Sequence, residues 1–246
     1  MRPLPTGLLL ATGARALSSA AQPKPKTVIL VRHGAVDYLA AGLRKGALYG
    51  GDIDVPLSDR GEAEAVSAAA YVSENFGAPD CIFASPLKRA VWGAERISEA
   101  TGGCEVQTDV AFKEVGRGEW LRKTLPEIED CWPGGMAKFL ADAEYRPPGG
   151  ESVSDVAQRV RACLQERVLP AVKPGGCGVV VSHLYVTRAM LAMALDCPIA
   201  DIDVPTASVS ALEFDGNGGV RVLCQGVKPV LAPEDEARLA KGSAET

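Results

Sequence analysis

Two apolar runs, "TVILV" (27–31) and "CGVVVS" (177–182), constrain this chain more than any other feature. Both are hydrophobic at nearly every position rather than at every second one, so a strand built from either must be covered on both faces. Each run stops on a polar pair, Arg32-His33 and Ser182-His183, and these are the only two histidines in the chain. Helical and extended patterns alternate around them. Residues 59–76 read as a helix with Ser58 as N-cap, and 80–85 as a short buried strand. A second helix is expected from Ser85 as N-cap and Pro86 at its first position, ending at Gly102. A strand at 104–108 precedes a loop-rich stretch from 111 to 150. A helix over 152–169 is then expected to break at Pro170. After the strand at 177–182, residues 184–195 read as a helix, and 208–225 as a hairpin turning at Asn217-Gly218. The tail from 232 reads as a solvated helix or a disordered segment. The alternation predicts an α/β fold of three layers, a mostly parallel central sheet flanked by helices, with a C-terminal β-hairpin.

The 246 residues are 47% hydrophobic, enough for one sizeable core. A net charge of −5 without a basic stripe argues against a nucleic-acid partner. No apolar run approaches the roughly 20 residues of a membrane-spanning helix. Seven scattered cysteines with no C-x-x-C pair fit neither a disulfide framework nor a structural zinc site. The first 26 residues hold Arg2, Arg15, Lys24 and Lys26, and the first acid is Asp37. That segment reads as a transit peptide for mitochondrion or plastid, with a secretory signal as the rival, followed by the linker "QPKPK". The folded domain is expected over 27–246.

In open α/β sheets, ligands bind beyond the carboxyl ends of the strands. Arg32, His33 and His183 sit at such ends, and Arg89 falls in the first turn of the helix after strand 80–85. Two guanidinium forks beside two imidazoles form an anion pocket suited to phosphate. A neutral imidazole can attack phosphorus, and a second, held cationic by the bound phosphoryl group, can stabilise its equatorial oxygens. The departing alkoxide needs a proton. With no third histidine, that donor has to be an Asp or Glu, and spacing alone does not say which.

"VRHG" (31–34) resembles the signature of the histidine phosphatase superfamily, the phosphoglycerate mutase-like group. "YGGDIDVPLSDRGEAEA", "SPLKRAVWGAE", "FKEVGRGEW", "PPGGES" and "VVVSH" are similar to further blocks of that family, in its order. The resemblance implies a phosphoglycerate mutase-like fold and a metal-independent phosphomonoesterase needing no cofactor. It places His33 as nucleophile, Arg32, Arg89 and Gly34 at the phosphate, His183 as second histidine and Glu114 as general acid. Glu119 and Glu151 are the nearest competitors for the acid. The implied substrate is a small phosphorylated metabolite or a phosphoprotein; the assembly considered for the chain is a homodimer. Two alternatives stand beside it: a mutase moving a phosphoryl group within a phosphoglycerate, and a non-catalytic scaffold for phosphate ligands. The "FKEVGRGEW" loop is closer to the phosphatase branch than to the mutase motif E-R-H-Y-G. Val36, Leu39, Leu121, Arg122 and Leu184 depart from the family pattern around the phosphate and the leaving group. Leu184 is expected to narrow the pocket.

Overall fold

The computed structural model describes residues 24–195 and 197–242. The expected transit peptide therefore lies almost wholly outside the described residues. The two apolar runs become β1 (Lys26–Arg32) and β4 (Cys177–Ser182), which pair in parallel from Thr27↔Cys177 to Arg32↔Ser182. With β2 (Cys81–Ala84), β3 (Val106–Thr108), β5 (Val209–Phe214) and β6 (Val220–Val227), they form a six-stranded sheet in the order β3-β2-β4-β1-β5-β6. Only β5 runs against the others.

Side-chain alternation along the central strands divides the core into two layers. Ile29, Val31, Val179 and Val181 face α1 (Asp59–Phe76) and α2 (Lys88–Ala100), where small residues such as Ala68, Ala90 and Ala94 bring the helices close. Val28, Leu30 and Val180 face the other way, onto α5 (Val153–Cys163) and α7 (Leu184–Leu191), with Trp120 and Phe139 filling the space beyond. Covering both faces explains why β1 and β4 lack polar alternation.

The stretch expected to be loop-rich contains α3 (Leu125–Cys131) and α4 (Gly135–Ala141). The helix expected to break at Pro170 instead passes through a π-helical segment, Leu164–Val168, into a last turn, α6 (Leu169–Ala171). Widening there lets the Leu169 N–H reach Leu164 O, so the ring of Pro170 is accommodated rather than terminating the helix. α7 stops at Leu191, earlier than expected. The hairpin turn spans 215–219: Asp215 Oδ1 accepts the N–H groups of Asn217 and Gly219, while Gly216 and Gly218 take positive φ. The tail forms α8 (Pro233–Gly242), with Glu234, Asp235 and Glu236 in its first turn.

Ser85 does not cap α2. That helix starts at Lys88 behind Leu87, and the Lys88 N–H is taken by Asp54 Oδ1 at 2.9 Å from a distant loop. With the cap supplied from elsewhere in the chain, Ser85 Oγ accepts only a long bond from the Leu87 N–H, 3.4 Å, and is available to the site below.

Candidate active site

Adjacent strands lie about 4.8 Å apart, so β1 and β4, ending in register, deliver the residues that follow them side by side. The rings of His33 and His183 have centroids 5.0 Å apart at 60°. The backbone of His33 is fixed on two sides. Its N–H donates to Ser182 O, and its carbonyl accepts from Ala207 N–H, each at 3.0 Å. Its ring Nδ1 lies 2.7 Å from Gly34 O. A carbonyl oxygen only accepts, so Nδ1 carries the proton and Nε2 the lone pair. Burial pushes the imidazole well below the usual histidine range, and Arg89 and Arg32 push it further. His33 is thus a neutral imidazole whose Nε2 lone pair is free, the form of the side chain able to attack an electrophilic centre.

Gly34 serves His33 through its backbone. A β-carbon there would collide with the carbonyl oxygen of Gly61, the third residue of α1, and one on Gly61 would collide with Ala35 O. This close approach also lets buried Glu64 accept the Ala35 N–H at 3.0 Å, while Lys228 neutralises its other oxygen at 2.9 Å. Those contacts hold the turn whose carbonyl orients His33.

His183 is fully buried; its Nε2 lies 2.8 Å from Ser85 Oγ, and its Nδ1 has no partner among the described residues. β2 explains the serine's position, because the Ser85 N–H donates to Val181 O at the end of β4. Burial lowers the pKa of His183 well below the usual value, followed by His33, Arg89 and Arg32. The ring is therefore neutral near pH 7, and a phosphoryl dianion beside it would be the charge that draws a proton onto it.

Arg89, 1% exposed, donates to Ile53 O (3.1 Å) and Gly50 O (3.0 Å) and lies over the Tyr49 ring at 5.0 Å. Arg32 donates to Val204 O at 2.7 Å. The Nε atoms of both are buried without partners, and neither guanidinium has a carboxylate within ion-pair distance among the described residues. Three buried polar nitrogens without partners, Arg32 Nε, Arg89 Nε and His183 Nδ1, thus belong to side chains whose charge or ring reaches His33. Such groups are costly unless a ligand completes them.

Glu114 is buried beside this cluster. Its Oε1 accepts the Val115 N–H (2.9 Å) and the Tyr185 N–H in the first turn of α7 (3.2 Å), while its Oε2 accepts from no described residue. Its charge reaches both Arg32 and Arg89. Of the two competitors, Glu119 is exposed, and both oxygens of Glu151 are engaged by Arg159 and the Gly116 N–H. Leu184 is half-buried and packs against the core layer under the site. Leu39 is 83% exposed and Val36 pairs with Leu57. Sequence reasoning missed Ser85, read as a helix cap, and did not single out Asp54. The signals for Ser85 were its place at the head of the "SPLKRAVWGAE" block and at the end of a strand destined to neighbour β4.

Residues 28–225 match the histidine phosphatase superfamily (branch 1). The chain belongs to that superfamily. It is 32% identical over 184 residues to a glucosyl-3-phosphoglycerate phosphatase of Mycobacterium tuberculosis, covering 72% of this chain and 79% of the relative. It is 30% identical over 174 residues to a 2,3-bisphosphoglycerate-dependent phosphoglycerate mutase of Mesorhizobium japonicum, covering 70% and 82%. Among solved structures, "Mycobacterial hydrolase 2" superposes with a TM-score of 0.76 at 27% identity, covering 89% of this chain and 98% of that one.

Proposed function

We propose that this histidine phosphatase hydrolyses a small phosphomonoester through a phosphohistidine at His33. The observation carrying the proposal is the cluster of buried nitrogens without partners, Arg32 Nε, Arg89 Nε and His183 Nδ1, beside a histidine whose Nε2 lone pair is free. In the reading, Nε2 attacks phosphorus and the bond to the leaving oxygen breaks as Glu114, in its acid form, gives that oxygen a proton. Water then attacks the phosphohistidine, Glu114 takes a proton from it, and inorganic phosphate and neutral His33 are regenerated. Arg32, Arg89 and a protonated His183 hold the charge on the equatorial oxygens throughout. No step calls on a metal or cofactor. Similarity to a glucosyl-3-phosphoglycerate phosphatase favours a phosphorylated sugar acid or a comparably small metabolite over a phosphoprotein. A screen of phosphate esters with EDTA present tests this: turnover by the wild type and none by His33→Ala is expected.

The mutase reading draws on the mutase relatives. A coupled assay with 3-phosphoglycerate and catalytic bisphosphoglycerate separates the two, and phosphate release without isomerisation is expected. For the first 26 residues the proposal is an organelle address, supported by their acid-free composition. Fusing them to a fluorescent reporter distinguishes mitochondrion, plastid and secretory pathway. The catalytic unit is proposed to begin near Thr27.

A further inference from the structure

One ion pair at the site has no part in the chemistry above. Glu151, in the turn before α5, and Arg159, on α5, meet fork to fork: Arg159 Nε donates to Oε1 and Nη2 to Oε2, each at 3.0 Å. Neither group stops at the other. Arg159 Nη1 donates to Ala111 O at 2.5 Å and Nη2 to Glu114 O at 3.4 Å. Glu151 Oε2 accepts the Gly116 N–H at 2.9 Å, and its own N–H donates to Gly116 O at 3.0 Å. The pair therefore grips the backbone at 111, 114 and 116, on both sides of Glu114. The same carbonyl oxygen of Glu114 rests against Gly51, where a β-carbon would collide with it.

We infer that the Glu151–Arg159 pair is a positioning clamp for the general acid, holding the 111–116 segment so that Glu114 Oε2 faces the leaving oxygen. The inference rests on the assignment of Glu114 as that acid. Residues 113–117, which carry Glu114, are short irregular backbone between two 3-10 turns, Val110–Phe112 and Gly118–Trp120, with no helix or strand of their own to fix them. Proton transfer requires heavy-atom distances of about 2.6–3.2 Å, and a displacement near 1 Å can cost about a hundredfold. The rigid support has to come from elsewhere, and α5 supplies it. The same pair removes Glu151 from the candidates for the acid.

A clamp acting on the acid affects only substrates that need the proton. The test compares kcat/KM, which reports the chemistry through phosphoryl transfer to His33, for glycerol 1-phosphate and for 2,4-dinitrophenyl phosphate. The alkoxide of the first must be protonated, and the phenolate of the second leaves unaided. Glu151→Gln keeps the shape and an acceptor for Gly116; Arg159→Lys keeps the charge but loses the fork. Both variants, verified as folded by circular dichroism, should lose tenfold or more on the alkyl ester and much less on the aryl ester. Glu114→Gln should show the same selectivity to a larger degree, about 10²–10⁴-fold on the alkyl ester. Combining Arg159→Lys with Glu114→Gln should cost no more than Glu114→Gln alone. Equal losses on both esters in the clamp variants, with Glu114→Gln still selective, would overturn the clamp while leaving the acid assignment intact. A Glu114→Gln variant without selectivity would overturn the acid assignment, and the clamp with it.

Discussion

His33 and His183 look alike in sequence, each following a run of β-branched residues, yet their hydrogen bonds give them opposite tasks. His33 Nδ1 donates to Gly34 O, which in the proposed mechanism leaves Nε2 to attack, whereas His183 Nε2 pairs with Ser85 Oγ, which there leaves Nδ1 for the phosphoryl group. Ser85→Ala strands both nitrogens of a fully buried ring, which should cost about 1–3 kcal/mol and lower Tm by several degrees; an unchanged Tm would mean the contact carries no energy. Acid should act on both rings. Folded, they remain neutral well below 6.5, while the unfolded chain takes up protons near that value. Stability is therefore fully present above about pH 6.5 and is lost as pH falls toward the depressed folded values, at up to ~1.4 kcal/mol per pH unit for each ring. Denaturant unfolding from pH 7.5 to 5 measures it, and a His183→Asn variant should show a shallower slope. These residue roles were only partly legible in the sequence. The histidines and arginines announced themselves by their places at strand ends, but Ser85 matched the signature of an N-cap so well that its partner 98 residues away stayed hidden.

Elements were legible where burial or amphipathicity dictated them and illegible where distant residues did. The helix over 59–76 appears with its expected Ser58 cap, whose side chain accepts the Gly61 N–H, because that signal is local. The start of α2 was misplaced because its cap, Asp54, arrives from a loop 34 residues earlier. Asp54→Ala should destabilise the protein by about 1 kcal/mol. It should also weaken phosphate binding, since Arg89 sits in the first turn of the same helix and bonds the carbonyls of Gly50 and Ile53 on the loop that supplies Asp54. Calorimetric titration with inorganic phosphate checks the second effect, and unaltered affinity would show that the cap acts on stability alone. Pro170 misled for another reason: a π-helical segment relieved a clash that a regular helix could not. Leu184, expected to shape the pocket, instead packs half-buried on the core layer. Leu184→Gly should accordingly lower Tm rather than redirect specificity, and a shift in substrate preference at constant Tm would reverse that reading.

At the scale of the molecule, a sheet covered on both faces has one place to put polar groups: the rim where its central strands end. β1 and β4 occupy the middle of the order β3-β2-β4-β1-β5-β6, and their carboxyl ends define the pocket. The sequence made this architecture legible because two apolar strands and the helices between them leave few arrangements. The expected hairpin over 208–225 entailed an antiparallel strand, and β5 is that strand; the packing of the 111–150 segment was not revealed, because it depends on tertiary contacts. Because orphaned donors in the pocket await an anion, inorganic phosphate should raise Tm, by about 2.7 kcal/mol of stabilisation at a hundred times its Kd; Arg89→Met should abolish most of that gain. The most direct test of the central claim is to trap the enzyme during turnover by alkaline quench and map the phosphoryl group by mass spectrometry. A phosphoryl group on Nε2 of His33, absent when His183 and Glu114 are intact but His33→Ala replaces the nucleophile, is the expected result. A phosphoryl group on another residue, or phosphate release that persists in His33→Ala, would contradict it.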